Sequence, residues 1–251
     1  MTRLVGAELL KVRTTRMWIV LLGVGAAIAA LGAIALLAVA GSPDAARSGW
    51  TGVHSVADVK TMIDSGAIAA TLALILGATI ATTEFRYGTA GITYLATPRR
   101  SRVLTAKMIA AVPIGALFGL VGGAMPLVVL LIWYGATGRS VPLDGSVAVE
   151  IAQIGLQATF AAVMGVAVGA VLRSQVAAII GLLVWVLVVE SLVQGLLPAW
   201  IKWFPFGGVA NAFSSQTSAD LLARPAAAAM MVAYVAVGWV AAAWFEARRD
   251  V

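Results

Sequence analysis

Few side chains in this sequence are placed to do chemistry. Glu190 stands alone as a carboxylate well inside a long apolar stretch. A charge there costs on the order of 3 kcal/mol or more, so such groups face a bundle interior, and some are protonated. Glu190 is thus a candidate for a substrate pathway or a proton-linked step. A structural hydrogen bond, or contact with the interface just before Pro198, is the plainer reading of the same residue. Glu84 belongs to a second charged segment, Thr82 to Lys107 (TTEFRYGTAGITYLATPRRSRVLTAK), shared with Arg86, Arg99, Arg100, Arg102 and Lys107. Asp64 and Glu150 fall at the ends of apolar stretches, where solvent is expected to wet them. His54, the single histidine, lies in a polar connection and is expected to be solvated.

Other chemistry is absent from the sequence. No GxxxxGK[ST] occurs, so the chain does not bind ATP through a P-loop, and there is no HExxH, GxSxG or carboxylate–histidine cluster for a metal. The lack of Cys removes disulfides and thiolate sites. An enzyme is poorly supported, and no cofactor or metal is expected in this chain. Hydrophobic residues make up 61% of the 251, charged residues 11%, and mean hydropathy is +0.99. A soluble domain carries about 25% charged residues, so this composition predicts an all-α integral membrane protein. The net charge of +6 raises the question of nucleic acid, but the basic residues sit at the ends of apolar segments, where membrane orientation explains them.

The elements that must position these groups follow from the apolar segments. Six spans are expected at about 17–40, 62–83, 108–134, 148–172, 176–197 and 226–245, each near the 20 residues a bilayer core requires. Residues 1–16 carry Arg3, Lys11, Arg13 and Arg16 against Glu8, with Val5, Leu9 and Val12 on one side. They read as an amphipathic helix in the interface rather than a cleaved signal, because the apolar stretch that follows is too long for one. Span three contains Pro113 and Pro126, which interrupt helix hydrogen bonds. Between them, Gly115, Gly119 and Gly123 give overlapping GxxxG spacings for packing or a hinge. The connection from Pro198 to Pro225 is too polar for a span and opens with Trp200, Trp203, Phe204 and Phe206, so short interrupted helices at the outer interface are expected. Placing both termini on the cytoplasmic side leaves only Arg47, Lys60, Arg139, Lys202 and Arg224, of the 17 Lys and Arg, on the other side.

The segment from Thr82 to Lys107 resolves into parts. A helix can run through Arg86 and stop at Gly88, Thr89 can cap a new short helix, and Pro98 disfavours helix at Thr97. The basic cluster from Arg99 to Lys107 is expected to serve lipid contact and topology. Here the sequence resembles a known family. AELLKVRTTR before span one, EFRYGTAGITYLATPRR followed by Lys107 between spans two and three, and the six-span layout look like the ABC-2 type transporter permeases. The resemblance implies a cytoplasmic coupling helix that docks on a separate ATPase subunit through Glu84, Arg86, Tyr87, Gly88 and Thr89. It also implies that this partner holds the ATP and Mg, and that the permease pairs with a second copy or a paralogue in the plasma membrane. The apolar span faces suit export of a lipophilic or amphiphilic cargo such as a drug, peptide antibiotic or lipid. A proton-coupled secondary transporter using Glu190, and a non-transporting anchor or immunity protein that recruits an ATPase, remain as alternatives.

Overall fold

The structure, a computed structural model, describes residues 1–40, 42, 50, 52–215 and 221–248. Pro43, Asp44 and Arg47 of the first polar connection, residues 216–220, and the tail from Arg249 lie outside the described residues. Among those described the chain is all helix, without strands. Helix α1 (Thr2–Thr14) leads into α2 (Met17–Val39). Helix α3 (Val56–Asp64), a 3-10 turn (Ser65–Ala67) and α4 (Ile68–Arg86) form the second span, and a short α5 (Ala90–Ala96) precedes α6 (Arg100–Ala136). Helix α7 (Gly145–Leu172) is followed by α8 (Gln175–Val184), a π turn (Trp185–Val189) and α9 (Glu190–Leu196). The connection holds α10 (Pro198–Ile201), a second π turn (Pro205–Ala210) and a 3-10 turn (Asn211–Phe213) before α11 (Arg224–Arg248). Six helices are long and apolar enough to cross a membrane.

Caps explain several boundaries. The second span starts at Val56 because Ser55 and Asp58 form a capping box, with the Asp58 carboxylate accepting from Ser55 N at 2.8 Å. Asp144 accepts from Ser146 N at 2.8 Å and so starts α7. Arg173 ends α7 in the left-handed region (φ 53°), which makes the turn into α8 tight. Helix α6 runs unbroken through Pro113 and Pro126. At 1.5 Å per residue its 37 residues reach about 55 Å, well beyond a hydrocarbon core of about 30 Å. Part of α6 therefore extends past the apolar layer, while Val103, Leu104, Ala106 and Lys107 near its start stay buried in the bundle.

The spans divide into an inner and an outer set. In the spans built on α3–α4 and α7, 67% and 72% of the apolar windows are buried, against 17% for α2, α8–α9 and α11. Small residues make the inner contacts possible. A Cβ on Gly77 would meet the Ala162 carbonyl, and one on Gly119 would meet the backbone of Ile154 and Gly155. Helices α4 and α6 thus lie directly against α7, in the manner of small-residue packing between membrane helices. Leu104, Met108 and Phe118 of α6 fill the centre against Ala162 and Val166 of α7. The outer helices leave large apolar side chains uncovered: Leu31, Val176 and Val232 are 64%, 68% and 70% exposed.

Candidate functional site

Glu84 ends α4 on the side that faces α6, one helical turn beyond Ile80. Lys107 lies two turns into α6 and faces back. Helix α1 adds Glu8 and Lys11, three residues apart and therefore on one face. These four side chains close a ring of alternating charge. Lys11 reaches Glu8 at 2.6 Å and Glu84 at 2.5 Å, while Lys107 reaches Glu8 at 2.9 Å and Glu84 at 3.1 Å. Glu8, Glu84 and Lys107 are all buried, and only Lys11 is half exposed. Removing an ion from water costs several kcal/mol, and here each charge offsets that cost with two opposite neighbours. Burial disfavours the Lys11 charge, but its hydrogen bonds to Glu8 and Glu84 outweigh this and raise its pKa above the ordinary 10.5.

Helix α5 is fastened to this ring. Thr93 Oγ1 donates to Glu84 Oε1 at 3.1 Å, and the Thr89 amide donates to the Glu84 carbonyl at 2.9 Å. Tyr94, one residue on, donates its hydroxyl to Glu246 Oε1 of α11 at 3.3 Å. Arg100 lies 5.1 Å over the Tyr94 ring and donates to the Glu246 carbonyl at 2.7 Å. Burial, together with the Glu246 charge, pushes the Tyr94 phenol well above its usual value, so it acts as a donor. Residues near both ends of the described chain therefore meet at one end of the bundle. The inner face of α5 (Ala90, Tyr94) is buried, while Ile92 and Leu95 on the outer face are 70% and 84% exposed.

The expected site residues fall into two groups. Glu84 is inside the ring. Arg86 turns outward to Gln175 Oε1 at 3.0 Å, bridging to the α7–α8 turn, with its guanidinium 5.6 Å from the Tyr87 ring. Tyr87 itself is exposed, and Gly88 takes the left-handed conformation (φ 68°) that lets the chain turn into α5. Thr89 precedes α5, but its side chain makes no cap and instead points back to the Glu84 carbonyl. Lys107, expected at the lipid, is buried in the ring, because the length of α6 places it just inside the bundle end. Glu8 and Thr93 were not singled out from the sequence. The Glu8–Lys11 spacing was the available signal.

Away from the ring, Gly119 and Pro126 are buried packing positions and Pro113 is exposed. Glu190 is 3% exposed and follows the π turn, whose i→i+5 bonding brings it onto the same face as Trp185. It accepts from Trp185 Nε1 at 2.7 Å, from Phe206 N at 3.4 Å and from Gly207 N. Span five is thereby tied to the turn at Pro205–Ala210. No Lys or Arg among the described residues is salt-bridged to Glu190. Glu150 is also buried, at 3% exposed, and not wetted as its position at a span end suggested. Asp64 nearby accepts from the Ser215 hydroxyl.

A search of curated proteins finds no match. A family model described as ABC-2 family transporter protein matches residues 4–191 of the 251, from α1 through the start of α9. The ring, α5 and Glu190 all lie within that match, apart from the Glu246 anchor. The chain belongs to the ABC-2 transporter family: it is a multi-pass permease of an ABC transporter, whose ATPase is a separate subunit.

Proposed function

We propose that this permease is the transport subunit of an ATP-driven exporter, that α5 is its coupling helix, and that the ring around Glu84 carries the motion. The observation that supports this is the two-sidedness of α5. Its inner face is bound to α4 through Thr93, and to α11 and α6 through Tyr94. Its outer face offers Ile92 and Leu95, and Tyr87 just before the turn into it is also exposed, so large side chains stand uncovered at a polar end of the bundle. Exposed apolar clusters with a polar rim mark protein contacts, and the ATPase subunit, which holds ATP and Mg, is the partner assigned to them. In this reading Glu84 transmits load to α1 and α6, Arg86 to the α7–α8 turn, Tyr87 contributes contact, and Gly88 and Thr89 form the joint.

The orientation follows the basic bias, with both termini in the cytoplasm of a plasma-membrane protein. A second copy or a paralogue completes the pathway, with uncovered faces of the outer helices as the surface available to it. Cargo is lipophilic or amphiphilic, in keeping with the apolar character of those faces.

The test is co-purification with the ATPase, followed by efflux. The double variant Ile92→Asp/Leu95→Asp is expected to lose the ATPase while the permease remains folded. Thr93→Val is expected to keep the ATPase but lose most of the transport. A double variant that still holds the ATPase at wild-type level would remove α5 as the docking element.

A further inference from the structure

A cavity of about 200 Å³ lies between α4, α7, α9 and the turn at Pro205–Ala210. Its hydrogen-bonding side chains are Thr71, Gln157, Glu190, Ser191, Gln194 and Asn211. Thr71 and Gln157 sit near the middle of their spans, so these groups are at membrane depth rather than at an end. Polar side chains at that depth line cavities or bind one another. Two of them have unmet capacity. Gln157 is 3% exposed and its Nε2 has no partner. Glu190 is equally buried, and its contacts are all neutral N–H donors, so its charge has no counter-ion among the described residues.

Together these set the chemistry of an occupant. A carboxylate without a cation takes a positive group, and an amide N–H without a partner takes an oxygen acceptor. The volume accommodates a small head group but no large ring system. Leu187 and Val188, which follow the cavity-lining Val186 in the π turn, are 58% and 48% exposed, so the outer side of this span is an apolar surface that can take an alkyl tail.

We infer that this cavity binds the head of a lipophilic amino alcohol, its ammonium against Glu190 and its oxygen against Gln157. The inference rests on the transport reading for its physiological meaning and narrows the cargo to amine-bearing amphiphiles. Binding itself is independent of the ATPase. Trp185, whose indole N–H is on Glu190, is a built-in reporter of the site.

The experiment uses the full chain in neutral-lipid nanodiscs, with tryptophan fluorescence read against three probes. Sphinganine carries ammonium and hydroxyls, N-acetylsphinganine carries hydroxyls without the charge, and octadecylamine carries the charge alone. Sphinganine is expected to bind about tenfold tighter than the acetylated form, since charge-assisted hydrogen bonds are roughly twice as strong as neutral ones. Glu190→Gln should erase that preference. Gln157→Leu should keep it but erase the advantage of sphinganine over octadecylamine. Equal binding of sphinganine and its acetylated form by the wild type overturns the inference, as does a charge preference that survives in folded Glu190→Gln. Should Glu190→Gln fail to fold through loss of its backbone contacts, Gln157→Leu decides: a selective loss for the hydroxyl-bearing probes supports the site, and unchanged affinities overturn it. Sphinganine binding by a permease that fails the co-purification test would count against the coupling proposal and leave this one standing, and co-purification with no charge-selective binding would do the opposite.

Discussion

The two buried carboxylates Glu84 and Glu190 have opposite surroundings. Glu84 has two ammonium groups and a hydroxyl around it, in a ring whose charges cancel and whose members come from three helices. Among the described residues Glu190 has only N–H dipoles, from its own span and the adjoining turn. A neutral ring is complete: it gains nothing from a ligand and resists being pulled apart, which suits a joint that transmits force. A carboxylate held by dipoles alone keeps its charge unanswered and stays responsive to whatever enters beside it. The contrast separates mechanical work from recognition, although both carboxylates lie within nominally apolar spans.

Breaking the ring should give the largest effect. Lys107→Met leaves Glu8 and Glu84 buried with Lys11 alone between them. Removing one partner of a buried ion pair costs about 3–5 kcal/mol, read as a fall in the thermal unfolding midpoint in nanodiscs. Adding Glu84→Gln leaves the balanced Glu8–Lys11 pair, so the double variant should recover much of the loss. A double variant no more stable than Lys107→Met would show that packing, rather than charge balance, holds this end together.

The Glu190 site should be softer. Glu190→Gln keeps the shape but turns an amide N–H toward one of the backbone donors that the carboxylate accepted. One donor is left unsatisfied, at a cost of about 1–3 kcal/mol. The loss should be local, appearing as faster hydrogen exchange at Phe206 and Gly207 while the α5 end is unchanged. Equal exchange changes at both ends would erase the distinction between the two sites.

How much of this was legible in the sequence depends on the range of the signal. The six spans follow from uninterrupted apolar runs, and the joint at Gly88 and the stop before Pro98 follow from local backbone chemistry. Glu84 stood out because it is the lone acid in a basic segment. The ring did not, because Glu8, Lys11 and Lys107 meet only through the docking of α1 across α4 and α6, and no local pattern encodes that contact. Lys107 was misplaced for a related reason: the apolar run starts at Met108, whereas the helix starts at Arg100, so the lysine is carried inside a bundle end the hydropathy pattern cannot see. Glu150 failed the same way, since a span end counts as wet only when no neighbouring element covers it. The π turn that pairs Trp185 with Glu190 has no helix-breaking residue to announce it.

Lys11 gives the finest test, because it is the ring member that solvent can reach. Its pKa is raised above 10.5 by its carboxylate neighbours. A base whose folded value exceeds its unfolded one contributes stability that is fully present below the unfolded value and disappears as pH rises through the folded one. With its side chain 47% exposed, screening limits that contribution to about 0.2–1 kcal/mol. The stability gap between wild type and Lys11→Met should therefore be small and flat from about pH 6 to 9.5, and close only above the ordinary lysine value. It should also shrink in about 1 M salt, where the screening length falls to about 3 Å, while the gap for buried Lys107→Met barely moves. A Lys11 gap that closes between about pH 7 and 9 would mean that the ring does not hold this lysine charged. Lys11 would then be a surface neighbour of a three-membered cluster, and that cluster would carry a net negative charge, closer in kind to the Glu190 site than to a closed joint.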